Sequence, residues 1–307
     1  MSELDRRSFM KACAAAGALG LEGWQGSLAK GEQLSIARYK TSPSEDEAIA
    51  EEAVRLTEKA IAGLGGMSRF VSRGQVVWIK PNIGWERRAA QAATTNPDLV
   101  ATLVRLCFEA GAKSVFVADN TCNTAQRTYS RSGIQQAAEK AGARVVFLDQ
   151  RKFRRMALKG RVLKEWEVYT DMVEADLLIN VPIVKQHNLC AATLGMKNLM
   201  GVVGGQRNRY HQDIGNTVAD LAAFLKPRLV VLDGIRVLAS NGPVGGNLAD
   251  VKRKDVVAAG IDQVAVDAFG ASLLGLRPEQ VAYIAEAARR GLGTANYAAL
   301  GPREQSI

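Results

Sequence analysis

The sequence predicts an α/β protein with a mainly parallel sheet covered by helices on both faces. Three observations lead there. Short apolar runs alternate with amphipathic helical patterns along the whole chain, the rhythm of β-α-β units. Runs such as Val76 to Lys80 and Arg228 to Leu232 read as strands buried on both faces, as parallel strands are. The composition, 47% hydrophobic and 23% charged over 307 residues, suits a globular chain with ample core.

Taken in order, Leu34 to Tyr39 reads as a strand, and Ser44 with Glu47 as a capping box for a helix reaching Gly63. After the strand Val76 to Lys80, Asn96 caps a helix with Pro97 at its first position, ending near Gly111. Strands at Ser114 to Ala118 and Arg144 to Asp149 flank a helix at Ser132 to Ala141. A basic, then mixed stretch at 150–175 looks like a small insertion, with hairpin strands at Met156 to Leu158 and Val162 to Tyr169. Asp176 to Val181 is a strand stopped by Pro182, and Ala191 to Met200 and Asn216 to Leu225 read as helices. The strands Arg228 to Leu232 and Val256 to Ala259 follow, then helices at Asp262 to Leu274 and Pro278 to Arg290, and a loose end. No repeat or low-complexity linker interrupts this, so residues 30–307 are expected to form a single domain.

The first 29 residues carry a different pattern. Arg6-Arg7 stands in the run Asp5 to Lys11, an Ala/Gly-rich apolar stretch spans Ala12 to Leu21, and Ser27-Leu28-Ala29 offers small residues for cleavage. This order reads as a twin-arginine signal peptide, implying the export machinery as a partner and a periplasmic destination. The apolar stretch is too short for a bilayer, and no later segment approaches the 18 uninterrupted apolar residues of a membrane span.

The net charge is +9, and the signal's Arg6, Arg7 and Lys11 are balanced by Glu3, Asp5 and Glu22. A basic protein favours anionic ligands. Nucleic acid is not expected, because aromatics are 6% and no recognition motif occurs. Cys107, Cys122 and Cys190, the cysteines beyond the signal, are odd in number and lack a Cys-x-x-Cys pair, so neither a disulfide framework nor a cluster site is indicated.

Ligands of parallel sheets bind beyond the carboxyl ends of the strands. Here those ends are Lys80-Pro81-Asn82, Asp119-Asn120-Thr121, Asn180-Val181-Pro182 with Lys185 and His187 beyond, and Asp233-Gly234. Lys197 and Asn198 close an otherwise apolar segment rich in small residues, followed by Gly204-Gly205. The chain has two histidines, His187 and His211, both beside these glycine-rich stretches. His187, Cys190 and His211 leave a metal-binding reading open, and imidazole equally suits proton transfer. Neither Gly201-Val-Val-Gly-Gly nor Gly242-Pro-Val-Gly-Gly ends in the Gly-Lys-Ser/Thr of a phosphate loop, though Gly245 and Gly246 could present backbone amides to a ligand. Asp262 is most simply a helix cap, with Asp267 one turn on.

Several of these pieces, in order, resemble the domain of unknown function 362 family. They are Lys80-Pro81-Asn82, Lys185-x-His187, Gly195-Met196-Lys197-Asn198-Leu199-Met200-Gly201, His211 with Asp220-Leu221, Asp233-Gly234, Gly242-Pro243-x-Gly245-Gly246 and Asp262-x-x-Ala265-x-Asp267. The resemblance covers residues 34–290 and implies one shared site, with no settled activity attached. Many members carry a ferredoxin-like cluster module, which this sequence lacks.

The expectation is an exported enzyme acting on an anionic small molecule, with a redox link open. His187, Lys185, Asp119 and Asp233 are the candidate proton-moving and orienting groups. Lys80, Asn82, Asn120, Lys197, Asn198, Gly204, Gly205, His211, Gly245 and Gly246 are the candidate binding groups. The alternative is a non-catalytic accessory protein that binds a metal or ligand in a periplasmic redox system. The sequence names no cofactor.

Overall fold

Alternate side chains of each central strand enter two different cores, which is why the strands read as unbroken apolar runs. A computed structural model describes residues 32–40 and 49–307. The signal peptide and the Ser44/Glu47 capping box lie outside those residues. The first half runs β1 (Leu34–Arg38), α1 (Ile49–Gly63), β2 (Val76–Pro81), α2 (Pro97–Glu109), β3 (Ser114–Val117), α3 (Ala125–Ser132), α4 (Ile134–Lys140) and β4 (Arg144–Val145). A separate hairpin follows, β5 (Phe153–Ala157) and β6 (Glu165–Tyr169), then α5 (Thr170–Val173). The second half runs β7 (Leu177–Val181), β8 (Ile183–His187), β9 (Ala191–Thr193), α6 (Gly195–Asn198), α7 (Ile214–Leu225), β10 (Leu229–Leu238), β11 (Val251–Gly260), α8 (Gln263–Leu273), α9 (Ala282–Arg289) and β12 (Arg303–Ser306).

The main sheet is ordered β12-β1-β11-β10-β7-β2-β3-β4, with β8 beside β10 and β9 beside β8. From β10 to β4 every pairing is parallel, so those carboxyl ends lie along one border. Antiparallel pairing is confined to β11 with its two neighbours and to β9 with β8. Val77, Ile79, Val117, Ile179 and Val231 face a core with Leu56 of α1 and Leu103 of α2. Trp78, Leu178, Val230 and Leu232 face a second core with Leu221, Phe269 and Ile284 from α7, α8 and α9. Each fully buried aliphatic side chain contributes about 1.5–3 kcal/mol, so the two faces together hold the sheet. Asn96 caps α2, its side chain accepting the N–H groups of Asp98 and Leu99, with Pro97 first in the helix.

β7 stops before Pro182 as expected, and β8 resumes at Ile183, with the Pro182 carbonyl accepting the Asp233 N–H at 2.9 Å. Three local expectations need correction. The apolar stretch from Ala191 is not one helix. Ala191 adopts a φ of 65°, β9 pairs with β8, and only Gly195–Asn198 turns helical. β4 is two residues long, and the last residues form β12, parallel to β1. At Ala191 pairing with the neighbouring β8, and at the last residues pairing with the distant β1, overrides the local pattern. Among the described residues, no helix is long and apolar enough to cross a membrane.

Candidate functional site

The parallel border opens into a cavity of about 460 Å³, within the range of small-molecule sites. Strand ends supply its wall: Lys80 and Asn82 after β2, Asp119 and Asn120 after β3, Lys185 and His187 from β8, and Thr193 from β9. The short helix α6 adds Lys197 and Asn198, and Arg207 and His211 come from the segment leading into α7. Trp85, Leu189, Met200, Pro243 and Val244 supply apolar surface.

A chain of three amides orders the polar wall. Asn180 donates to the Gly195 carbonyl at 2.7 Å and accepts from Asn198 Nδ2 at 2.9 Å. Asn198 Oδ1 then accepts from Asn82 Nδ2 at 2.9 Å and from Lys80 Nζ at 3.0 Å. Each amide thereby fixes the orientation of the next, and Asn82 is left to present its oxygen to Lys185 at 3.1 Å. Asp267 anchors this arrangement from below. Its two oxygens accept the Gly195 and Met196 N–H groups at 2.6 and 2.9 Å, fixing the start of α6.

Four cations face one carboxylate here. Lys80 pairs with Asp119 Oδ1 at 2.7 Å, and Asp119 Oδ2 accepts the Ile83 N–H at 2.6 Å. Gly201 packs so tightly over this pair that a Cβ would collide with both. The Arg207 guanidinium is held by the carbonyls of Asn120 and Thr121 at 2.7 and 2.8 Å. Lys197, 8% exposed, makes no hydrogen bond or ion pair with any described residue. Burial lowers the affinity of all three lysines for their protons, and in Lys185, with Lys197 close by, pushes it down to about 7.

The two histidines stack with ring centroids 5.6 Å apart. His187 Nδ1 accepts the Leu189 N–H at 3.1 Å, which places any neutral-ring proton on Nε2. Burial, then the Lys197 charge, push His187 down to about 3, and the same causes lower His211. Both rings are therefore neutral near pH 7. His211 Nε2 is buried without a partner.

The family model described as Domain of unknown function (DUF362) matches residues 77–272 of this sequence. The chain belongs to that family. A protein of Synechocystis sp. named as thylakoid-associated is 29% identical over 239 residues, covering 75% of this chain and 72% of the relative. Among solved structures, the lactate racemase apoprotein from Thermoanaerobacterium thermosaccharolyticum matches with a TM-score of 0.45 at 13% identity, covering 80% of this chain and 57% of that one. A protein from Thermotoga maritima matches with a TM-score of 0.36 at 11% identity, covering 81% and 60%. This chain thus spans less than two thirds of either solved chain.

The residues singled out in the sequence divide between cavity and scaffold. Asp233 stands outside the cavity. Its carboxylate accepts the Asn96 N–H at 2.8 Å and the Ile235 N–H at 3.1 Å, tying β10 to the start of α2. Burial raises its acid to about 6. Gly204 and Gly205 also lie outside, packed against the hairpin, where the Gly204 carbonyl accepts Trp166 Nε1 at 2.9 Å. The carbonyls of Gly245 and Gly246 accept from Arg87 and Gln91, while Pro243 and Val244 of the same loop do line the cavity. Asp262 caps α8 through Val264 and Ala265. Cys190 turns its sulfur to the Ala192 carbonyl at 3.3 Å, away from the cavity wall. Among the described residues, no three His, Cys, Asp or Glu side chains gather as a metal set. Sequence reading passed over Arg207, Trp85 and Cys122, which line the cavity. Arg207 had a signal, standing just past Gly204-Gly205 and four residues before His211.

Proposed function

We propose that this chain is an exported enzyme that binds an anionic small molecule in the cavity at the parallel border. The observation that carries the reading is Lys197: a mostly buried lysine whose amine meets no acceptor among the described residues and opens onto a cavity whose cations outnumber its carboxylate. An unpaired buried charge is costly, so the arrangement is satisfied when a ligand brings the counter-charge. Arg207 and Lys185 add to the field that draws a carboxylate or phosphate inward.

Enzymatic action needs a group that exchanges protons near neutrality. Lys185, at about 7, fits that need, and His187, held near 3, fits it less well. Asp119 is committed to Lys80 and the Ile83 N–H, which makes it an orienting group. Export is supported by the Arg6-Arg7 pattern and the Ser27-Leu28-Ala29 step. Replacing Arg6 and Arg7 by lysine should leave the protein in the cytoplasm on fractionation; undiminished periplasmic protein would refute that part.

Calorimetric titration with inorganic phosphate and with malonate tests the site. Wild-type protein should bind at least one of them, and Lys197→Met should bind it roughly tenfold to a hundredfold more weakly. A wild type that binds neither, or a variant that binds as well, overturns the reading.

A further inference from the structure

The lysines of the cavity differ in how many oxygens surround each amine. Lys80 has three: the Pro81 carbonyl at 2.8 Å, Asn198 Oδ1 at 3.0 Å and Asp119 Oδ1 at 2.7 Å. Two of these oxygens accept ammonium protons and the third belongs to a carboxylate that supplies the opposite charge, a setting that suits the protonated form. Lys185 has two: the Ala93 carbonyl at 2.8 Å and Asn82 Oδ1 at 3.1 Å. A neutral amine has two hydrogens and a lone pair, so those acceptors match the neutral form. Lys197 has none among the described residues.

The match at Lys185 is held in place. The amide chain through Asn180 and Asn198 turns the Asn82 oxygen toward Nζ, so the side chain offers no donor there. The cavity's carboxylate, Asp119, is taken by Lys80. Lys197 puts a second positive charge near Lys185, which opposes a proton on its nitrogen. A buried amine deprived of a carboxylate and placed beside another cation is a nucleophile.

We propose that Lys185 captures the carbonyl carbon of a small 2-oxo acid as a Schiff base, with the carboxylate of that molecule held by Lys197. This rests on the anion-binding reading of the same cavity and names its substrate class. The Lys185 lone pair attacks the carbonyl carbon and a C–N bond forms. The C–O bond then breaks, and the oxygen leaves as water with the two amine hydrogens, so C=O becomes C=N with no change of oxidation level. The apolar part of the oxo acid lies against Trp85, Met200 and Val244, which line the same cavity. The burial that lowers the Lys185 proton affinity to about 7 keeps a large share of the amine nucleophilic at neutral pH.

The test is reductive trapping. Purified full-length protein is incubated at neutral pH with 2-oxobutanoate or phenylpyruvate, treated with sodium borohydride and mapped by peptide mass spectrometry. Borohydride adds hydride across C=N and leaves a stable secondary amine. The expected result is one adduct per chain, on Lys185, with roughly tenfold less from uncharged butanone at the same concentration. Lys185→Arg keeps a cation but should abolish the adduct. The wild-type map decides without that variant: no adduct on Lys185, or labelling spread evenly over exposed lysines, overturns the proposal. Equal trapping of butanone overturns the role of Lys197. Should titration show the oxo acid bound but untrapped, the Schiff base fails and the anion site stands. If neither oxo acid nor phosphate nor malonate binds, both fall.

Discussion

Asp220 and Lys197 are both buried charged side chains, and they are satisfied to opposite degrees. Asp220, on α7, accepts the N–H groups of Arg161, Val162 and Leu163 at 2.8, 2.8 and 2.9 Å, and pairs with Arg290 at 2.5 Å. Arg290 in turn pairs with Glu286 at 2.6 Å. Burial alone would raise the Asp220 acid, but those donors together hold it below its usual range. Lys197, on α6, has no such partners among the described residues. The difference separates two uses of a buried charge. A completely paired one fastens elements together, here the insertion hairpin to α7 and α9. An incompletely paired one holds capacity for something from outside the chain.

The largest effect should come from breaking the completed network. Asp220→Ala takes one of two carboxylates from Arg290 and strands three loop N–H groups, so a loss of about 3–5 kcal/mol is expected in urea unfolding. Malonate or phosphate affinity, measured where the variant remains folded, should be unchanged. A loss under about 1 kcal/mol would show that the network is dispensable and the comparison misdrawn.

The opposite sign is expected at the cavity. Lys197→Met removes an unpaired, mostly buried ammonium and keeps the apolar stem of the side chain, so stability without ligand should rise by about 1–4 kcal/mol. Together with the weaker anion binding of the same variant, this is the trade between stability and function that a strained site shows. A variant that is both less stable and unaltered in binding would make Lys197 an ordinary packing residue.

Much of this contrast lay within reach of the sequence, and the part that did not has a physical cause. The sheet was legible because strands buried on both faces are apolar throughout, and the cap at Asn96-Pro97 is a purely local signal. That Lys80, Lys185 and His187 share one cavity follows from a parallel sheet placing its carboxyl ends on one border, and α6 and the segment before α7 bring Lys197 and His211 over it. The carboxylates were not legible in the same way. Asp119 and Asp233 both follow an apolar run, yet one lines the cavity and the other, inside β10, binds the Asn96 N–H, 137 residues away. Asp267 likewise serves backbone groups 72 and 71 residues distant. Backbone donors carry no identity in the sequence, so a carboxylate that binds them looks the same as one that meets a ligand. The glycines of 204–205 and 245–246 stand outside the cavity for reasons the sequence does not separate from ligand binding: Gly204 packs against the hairpin, and Gly245 and Gly246 hold positive φ values of 57° and 137°.

Lys185 lies between the two extremes, and pH sharpens its place. Burial is the largest cause that lowers its proton affinity, Lys197 and Lys80 lower it further, and Cys122 and Asp119 raise it, leaving it at about 7 against 10.5 for an ordinary lysine. The folded chain therefore binds fewer protons than the unfolded chain between those two values, and stability must rise with pH there. Below about 7 the cost of a buried ammonium is fully present, and it is relieved as pH climbs. The slope from this one group cannot exceed about 1.4 kcal/mol per pH unit. Urea unfolding of wild type and Lys185→Met in anion-free buffer from pH 6 to 9 measures it. The stability difference should favour the wild type increasingly above neutrality, with most of the change beyond pH 7. A flat difference would mean that the two oxygens around Nζ hold a full ammonium, placing Lys185 with Lys80 among the satisfied charges and leaving Lys197 as the single open one described in the cavity.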